Sequence, residues 1–443
     1  MRGYKGAHSM NIFLQQNINR AFIVNIIVIH AVLFTVLIGQ PFQKAKPEYV
    51  GMSSKRLERL TTTLDQYVED EKLAGGVALV LRKGKSVYSH AFGYRDIEAN
   101  DVMEKDDIFR IASQTKAIIS VGVMILQEQG KLLIQEPVGK YLPEYNETTV
   151  AKKDGDTYRV VPAKRKIAIK DLLTHTSGIG WGYGPGQEAW ETAEIMGWYF
   201  ADKNEPIRET VKKIATLPMD AHPGEQYVYG LSTDVLGALI EVVSGMRLDQ
   251  FLAKEIFKPL KMNDTHFYLQ EDKLPRLTVV YSSNDNGIEI SPDPGSRVGA
   301  AMIGQGHYVS GPRVSYSGGA GLLSTAEDYA IFLQMMLNKG QFKNQRILSR
   351  KSVELMTVNH IKDIPFWFDG VRFGLGFGLV EDLGGRGELG SIGEFSWGGA
   401  YHSFYWVDPQ EELVVVYLTQ LIPALNIDDS AKLRSLIYQA IID

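Results

Sequence analysis

Ser113 and Lys116 form the only Ser-x-x-Lys pair in the chain, at the start of a run of mostly apolar residues that extends to Leu126. The run is apolar on nearly every side, which predicts a buried helix beginning near Ser113 and ending near Gly130. Both side chains would then fall on the first turn of one helix face. Burial and the positive helix N-terminus disfavour a charged lysine, leaving neutral amine to accept the serine proton. The pair therefore indicates nucleophilic catalysis, against the alternative of a capping serine beside an ordinary helical lysine.

Patterns for other hydrolytic or metal-dependent chemistry are missing from the sequence. There is no Gly-x-Ser-x-Gly, which argues against a nucleophile elbow, and no His-x-x-x-His or His-x-x-Glu-His pair typical of a metal site. Cysteine is absent, which excludes disulfides, thiolate metal sites and a cysteine nucleophile. The net charge of −5 shows no basic excess for nucleic acid. We therefore predict a reaction without metal or cofactor and without a nucleic-acid partner.

The N-terminus carries an export signal in this interpretation. Residues 21–39 contain no formal charge, and Arg2, Lys5 and Arg20 precede them. The run is long enough to span a bilayer, and few small residues precede a cleavage point, so we favour an uncleaved signal anchor over a cleaved signal peptide. Either alternative places the body outside the cytoplasmic membrane, with membrane attachment through 21–39 if the run is uncleaved. A tail (1–20) precedes the run and a linker (40–49) follows it.

The elements that must position Ser113 are strands at both ends of the body and helices between them. The composition of the whole chain, 44% hydrophobic and 22% charged, is that of a globular protein. Short runs of strand-forming residues and the turns between them predict strands at 77–81, 86–92, 404–407 and 413–418. Capping and periodicity predict helices from Ser53 or Ser54, over 188–217, over 232–244, from Ser324 with a capping box to Glu327, and from Ser430. Residues 146–166 are expected to form an exposed loop or ribbon, and 282–312 an irregular segment that is a candidate lid.

The order of these elements predicts an α/β (α+β) fold in one domain over 50–443. Strands from both ends of the domain would form one mixed, mainly antiparallel sheet flanked by helices, with a helical subdomain beside it. Trp181 and Tyr183 lie in the glycine-rich segment 180–186, which either lines a cleft or forms a wide turn.

Five short motifs, taken in order, resemble the serine beta-lactamase-related family. Within it they are most similar to the class C beta-lactamase-like enzymes called family VIII carboxylesterases, and the likeness covers 49–443. The motifs are Ser113-Gln-Thr-Lys116, Leu-Leu-Thr-His-Thr-Ser-Gly-Ile at 172–179, Pro-Gly-Glu-x-Tyr-x-Tyr at 223–229, Ser-Gly-Gly-Ala-Gly-Leu at 317–322, and Trp-Gly-Gly-Ala at 397–400.

The resemblance implies a beta-lactamase/transpeptidase-like fold and a role for each matching residue. Ser113 would be the acylated nucleophile, Lys116 its partner, and Tyr229 the residue that relays the proton to the leaving group. The oxyanion hole would be the backbone N–H groups of Ser113 and Ala400. Trp397, Gly398 and Gly399 would form the substrate-facing edge of a strand, where glycines admit the substrate close to the backbone.

Two departures from the family pattern bear on the substrate. The family's Tyr-x-Asn is Tyr229-Gly230-Leu231 here, so the amide that would hold an acylamino group is gone. Trp397 replaces the cation that would meet a beta-lactam carboxylate. Both changes make the cleft more apolar and favour neutral esters. By strand alternation, His402 is expected on the same side as Ala400 and is a candidate substrate contact, although a surface or core histidine is an equal alternative.

We therefore predict a serine hydrolase that cleaves small esters through an acyl-enzyme. A weak beta-lactamase or a D-amino-acid peptidase related to penicillin-binding proteins is the alternative within the same chemistry. A non-catalytic binding or sensor domain of the same fold is the alternative outside it. The sequence leaves the oligomeric state open.

Overall fold

The computed structural model describes residues 41–443 apart from residue 156. The chain divides into two compact units, 1–43 and 44–443. Of the first unit only residues 41–43 are described, so the predicted tail and the apolar run 21–39 lie outside the described residues. Within the described residues, no helix combines the length and apolar composition needed to cross a bilayer.

The second unit is built on an antiparallel sheet whose middle strands come from opposite ends of the chain. Its strands are β1 (Gly75–Arg82), β2 (Lys85–Asp96), β3 (Val371–Phe373), β4 (Gly378–Val380), β5 (Phe395–Gly399), β6 (Ser403–Asp408) and β7 (Leu413–Thr419). Their order in the sheet is β2-β1-β7-β6-β5-β4-β3, and Leu413 of β7 pairs with Arg82 of β1. The prediction of one sheet formed by N- and C-terminal strands is confirmed.

Shorter strands lie outside this core order. Asp101–Val102 pairs with β2, and the predicted ribbon at 146–166 is an antiparallel pair. The segment 282–312, predicted to be irregular, contains parts of two small ribbons. These strands are Gln43–Lys44, Asp101–Val102, Phe109–Arg110, Thr149–Asp154, Thr157–Pro162, Tyr281–Asn284, Gly287–Ile290, Ser296–Val298, Ala301–Ile303, Leu323–Ser324, Gln341–Phe342 and Gln345–Arg346.

Helices cover both faces of the sheet. The five longer ones are α1 (Ser54–Glu69), α2 (Thr115–Glu128), α3 (Ser232–Ser244), α4 (Ala326–Leu337) and α5 (Asp429–Tyr438). Apolar residues of α1 and α5 form a common core with β1 and β7, whereas α4 packs against β1, β6 and β7. The shorter α-helices are Ile169–Leu173, Gln187–Thr192, Ile207–Ala215, Leu248–Leu252, Lys258–Leu260, Arg350–Met356 and Leu383–Arg386. Short 3-10 or π-helical segments are Pro47–Val50, Ala112–Gln114, Val138–Lys140, Pro143–Asn146, Ala253–Phe257 and Glu271–Arg276.

The helix α2 matches its sequence prediction closely. A 3-10 turn at Ala112–Gln114 leads into it, and every residue from Thr115 to Leu126 is buried. Gly130 follows the helix with φ +68°, a conformation that glycine adopts at little cost. A helix apolar on all sides needs neighbours on all sides, and α3 supplies one of them.

Two helix predictions are corrected by the structure. The predicted helix over 188–217 is two helices, Gln187–Thr192 and Ile207–Ala215, separated by Gly197 at φ +74° and by Pro206, which caps the second helix. The helix near 324 is capped by Thr325, whose hydroxyl accepts from the Asp328 N–H at 3.1 Å. Ser324 instead pairs with Phe109 in a short strand, so the predicted capping box does not form.

Candidate active site

Ser113 lies on the tight turn that leads into α2. The residue before it, Ala112, is buried with φ +41°, a left-handed conformation that is costly for a residue with a β-carbon. The turn is held from outside, because the Tyr329 hydroxyl donates to the Gln114 carbonyl at 2.9 Å and Thr115 Oγ1 accepts from the Leu322 N–H at 3.1 Å. Strain of this kind persists where the surroundings fix it, and it is concentrated at functional sites.

Lys116 brings its amine directly to the serine. Its side chain is buried, and Nζ lies 3.0 Å from Ser113 Oγ and 2.7 Å from the Gly319 carbonyl oxygen. Nζ also lies 4.7 Å from the centre of the Tyr229 ring. The amine is therefore held within proton-transfer distance of the hydroxyl, the arrangement that an activated serine requires.

The carbonyl that anchors Lys116 is itself fixed by Asp234 of α3. The fully buried Asp234 accepts through Oδ1 from Ser317 Oγ at 2.6 Å and from the Gly319 N–H at 3.1 Å. A β-carbon at position 319 would lie 2.4 Å from Asp234 Oδ2, so the approach requires glycine. Burial raises the pKa of Asp234, an effect that the hydrogen bond from Ser317 and the charge of Lys116 oppose. Asp234 belongs to none of the sequence motifs described above, and its only signal in the sequence is an acidic residue inside an apolar helix.

Tyr229 and Trp397 meet through a hydrogen bond. The indole Nε1–H of Trp397 donates to the Tyr229 hydroxyl oxygen at 2.9 Å, and the ring centres lie 5.4 Å apart. Because the oxygen accepts this bond, the phenolic proton can be donated elsewhere. Trp397, which stands where the family has a cation, therefore supplies a neutral donor.

His175 forms a neutral wall behind Tyr229. Its ring centre lies 4.6 Å from that of Tyr229 and 5.7 Å from that of Phe373. Burial, together with nearby Lys116, holds the pKa of His175 well below its ordinary value, so the imidazole is uncharged near neutral pH. In the sequence, His175 is visible only as part of the motif at 172–179, which does not by itself predict this role.

The end of β5 packs tightly against the turn that carries Ser113. A β-carbon on Gly399 would lie 2.4 Å from the Ile111 carbonyl oxygen, and one on Gly398 would lie 3.1 Å from the Phe404 ring. The missing side chain of Gly399 lets the strand approach the turn, as expected for a substrate-facing edge. Ser113 and Ala400 consequently line one cavity.

That cavity has a volume of about 730 Å³ and a largely aromatic wall. Seven of the predicted site residues line it: Ser113, Trp181, Tyr229, Trp397, Gly398, Gly399 and Ala400. Lys116 lies behind the wall in contact with Ser113. Aromatic side chains that the sequence analysis did not single out complete the wall: Trp198, Trp367, Phe368, Phe404, Tyr405 and Trp406. For Trp367 and Phe368, the signal in the sequence is the aromatic triplet Phe366-Trp367-Phe368.

Two predicted contacts do not line this cavity. β5 ends at Gly399, and His402 lies in the following turn with φ +60°. The strand alternation assumed for His402 therefore fails, and its Nε2 is 2.7 Å from Asp429 Oδ1. Tyr183 is 43% exposed and is not one of the residues that line the cavity.

Comparison with known proteins supports the family that the five sequence motifs resemble. A family model described as "Beta-lactamase" matches residues 60–434. Protein Rv1367c of Mycobacterium tuberculosis is 33% identical over 375 residues, which cover 81% of this chain and 88% of that protein. Esterase EstB of Burkholderia gladioli is 30% identical over 372 residues, covering 82% of this chain and 89% of that protein.

A solved structure agrees with the fold. The structure described as "EstCE1, a hydrolase with promiscuous acyltransferase activity" superposes with a TM-score of 0.73 at 26% identity, and the match covers 87% of this chain and 99% of that one. Together with the family match over most of the chain, this means that the protein belongs to the beta-lactamase family and is a serine hydrolase resembling the family VIII carboxylesterases.

Proposed function

We propose that this serine hydrolase cleaves small carboxylic esters by transferring the acyl group to Ser113. The observation that carries the proposal is the Lys116 amine, which is buried and 3.0 Å from Ser113 Oγ, beside a cavity with an aromatic wall. The similarity to Esterase EstB supports ester chemistry.

The proposed acylation begins with attack of Ser113 Oγ on the ester carbonyl carbon while the hydroxyl proton passes to Lys116. The negative oxygen of the tetrahedral intermediate would accept from the backbone N–H groups of Ser113 and Ala400. When the intermediate collapses, the C–O bond to the alcohol breaks and the alcohol takes its proton from Tyr229. Lys116 then returns a proton to Tyr229, and water releases the acid by the reverse sequence.

The cavity favours neutral esters over lactams and peptide stems in this proposal. Leu231 is fully buried where the family has an amide side chain, so it offers nothing to an acylamino group. The Trp397 indole is already engaged with Tyr229, and it carries no charge for a lactam carboxylate. We also propose that the enzyme acts outside the cytoplasmic membrane, because the run 21–39 has the composition of an export signal.

Rates on an ester and a lactam test this preference. With purified full-length protein we expect kcat/KM for 4-nitrophenyl butyrate to exceed that for a chromogenic cephalosporin by about 100-fold or more, because the cephalosporin would leave its charged and amide groups unpaired. The reverse preference would assign the protein as a beta-lactamase. Absence of turnover on both substrates would favour a non-catalytic domain.

A further inference from the structure

The cavity contains a charge that the protein leaves uncompensated. Among the described residues, four charged side chains line it: Asp369, Arg386, Glu388 and Arg434. The two arginines are neutralised by two glutamates. Arg386 lies 3.1 Å from Glu388 and 2.9 Å from the fully buried Glu394, and Arg434 lies 3.4 Å from Glu388 and 2.7 Å from Glu394.

Asp369 has no such partner. Its side chain is exposed, and it forms no ion pair or hydrogen bond with any residue in the described part of the chain. The unbalanced charge at the cavity is therefore negative, the same sign as the net charge of −5 on the whole chain. A negatively lined cleft attracts cations and raises their local concentration.

The side chains next to Asp369 are aromatic and open to solvent. Trp367 and Phe368 are each 56% exposed, and both line the cavity. Trp367 meets Tyr229 nearly at right angles, with ring centres 5.3 Å apart. Aromatic faces attract ammonium groups through the ring quadrupole, and tryptophan does so best. A free carboxylate two residues from an exposed tryptophan therefore has the chemistry of a cation site.

We propose that the physiological substrate is an ester of an amino alcohol, whose ammonium group binds against Trp367 and Asp369. The inference rests on the proposed ester hydrolysis and specifies its substrate class. The ammonium belongs to the alcohol part because the leaving alcohol takes its proton from Tyr229, which Trp367 contacts. An anionic alcohol would instead have to displace Glu388 from both arginines.

A pair of esters with the same shape tests the proposal. Butyrylcholine has a positively charged nitrogen at the position where 3,3-dimethylbutyl butyrate has an uncharged carbon. The two esters are otherwise identical. We expect kcat/KM to favour the choline ester by about tenfold. Asp369→Asn and Trp367→Leu should each reduce this preference, expressed as the ratio of kcat/KM for the two esters measured on the same variant, by about threefold. Asp363→Asn is the matched control, since Asp363 is an exposed acid nearby in sequence that does not line the cavity.

The possible results distinguish failure of the proposed cation site from failure of the proposed ester hydrolysis. Equal kcat/KM on the two esters, with turnover intact, would overturn the cation site and leave ester hydrolysis standing. Preference for a third ester with a carboxylate on its alcohol would also overturn it. If the enzyme hydrolyses neither butyrylcholine nor 3,3-dimethylbutyl butyrate, both proposals are overturned. Inhibition by tetramethylammonium is a measurement independent of choline-ester turnover. This cation should inhibit 4-nitrophenyl butyrate hydrolysis competitively, and more weakly in Asp369→Asn than in the unmodified enzyme. Equal inhibition of the unmodified enzyme and the variant would contradict the assignment of Asp369.

Discussion

Replacing Ser113 with alanine is expected to lower kcat for 4-nitrophenyl butyrate by about 10⁴-fold or more, because the acyl-enzyme can no longer form. The change removes one oxygen atom from the turn. The turn itself is held by hydrogen bonds of neighbouring residues, from the Tyr329 hydroxyl to the Gln114 carbonyl and from the Leu322 N–H to Thr115 Oγ1. The fold should therefore survive. Steady-state rates, compared at equal fractions of folded protein by circular dichroism, measure the effect.

Ser120→Ala is the matched control for this change. Ser120 lies on α2, the helix that follows the Ser113 turn, and it is fully buried, and its hydroxyl has no hydrogen-bond partner among the described residues. We expect kcat within about twofold of the unmodified enzyme, since no interaction in the site is lost. A Ser113→Ala protein that keeps a substantial fraction of its activity would show that another group is the nucleophile.

Replacing Lys116 with methionine is expected to lower kcat by about 10³-fold, because the amine that accepts the Ser113 proton is removed while most of the buried side-chain volume remains. The acylation rate constant, measured in single turnovers below the unfolding temperature, should fall by a similar factor. The Gly319 carbonyl also loses its donor, so some loss of thermal stability should accompany the kinetic effect.

A purely structural lysine would give a different pattern. If Lys116 served only to hold Gly319, the variant would unfold at a lower temperature and still acylate Ser113 at a near-normal rate well below that temperature. Lys131→Met, a change of the same type at an exposed position just after α2, should alter neither property. Normal acylation by Lys116→Met would contradict the proposed proton transfer.

The parts of the site that are local in sequence could be predicted from it. Ser113 and Lys116 are three residues apart, so the helical repeat alone places them together, and the apolar surroundings predict their burial. The central strands from both ends are likewise short apolar runs followed or preceded by turn residues, a signal that is local in sequence. The short spacing explains why the pair Ser113–Lys116 was predictable without knowledge of the fold.

The parts that depend on distant contacts could not be predicted. Asp234 and its partner Ser317 are separated by 83 residues, and no periodic signal joins them. Trp397 and Tyr229 are separated by 168 residues, so only the folded chain shows that the indole donates to the phenol. His402 was misplaced for the opposite reason: a local rule for strands was extended past Gly399, where the strand ends.

The central claim, an acyl-enzyme on Ser113, is tested most directly by covalent trapping. The full-length protein and Ser113→Ala are treated with a fluorophosphonate, intact masses are recorded, and the labelled peptide is sequenced by tandem mass spectrometry. We expect one adduct per chain, located on Ser113 and absent from the variant. Label on a different residue, or no label on folded protein that hydrolyses esters, would contradict it.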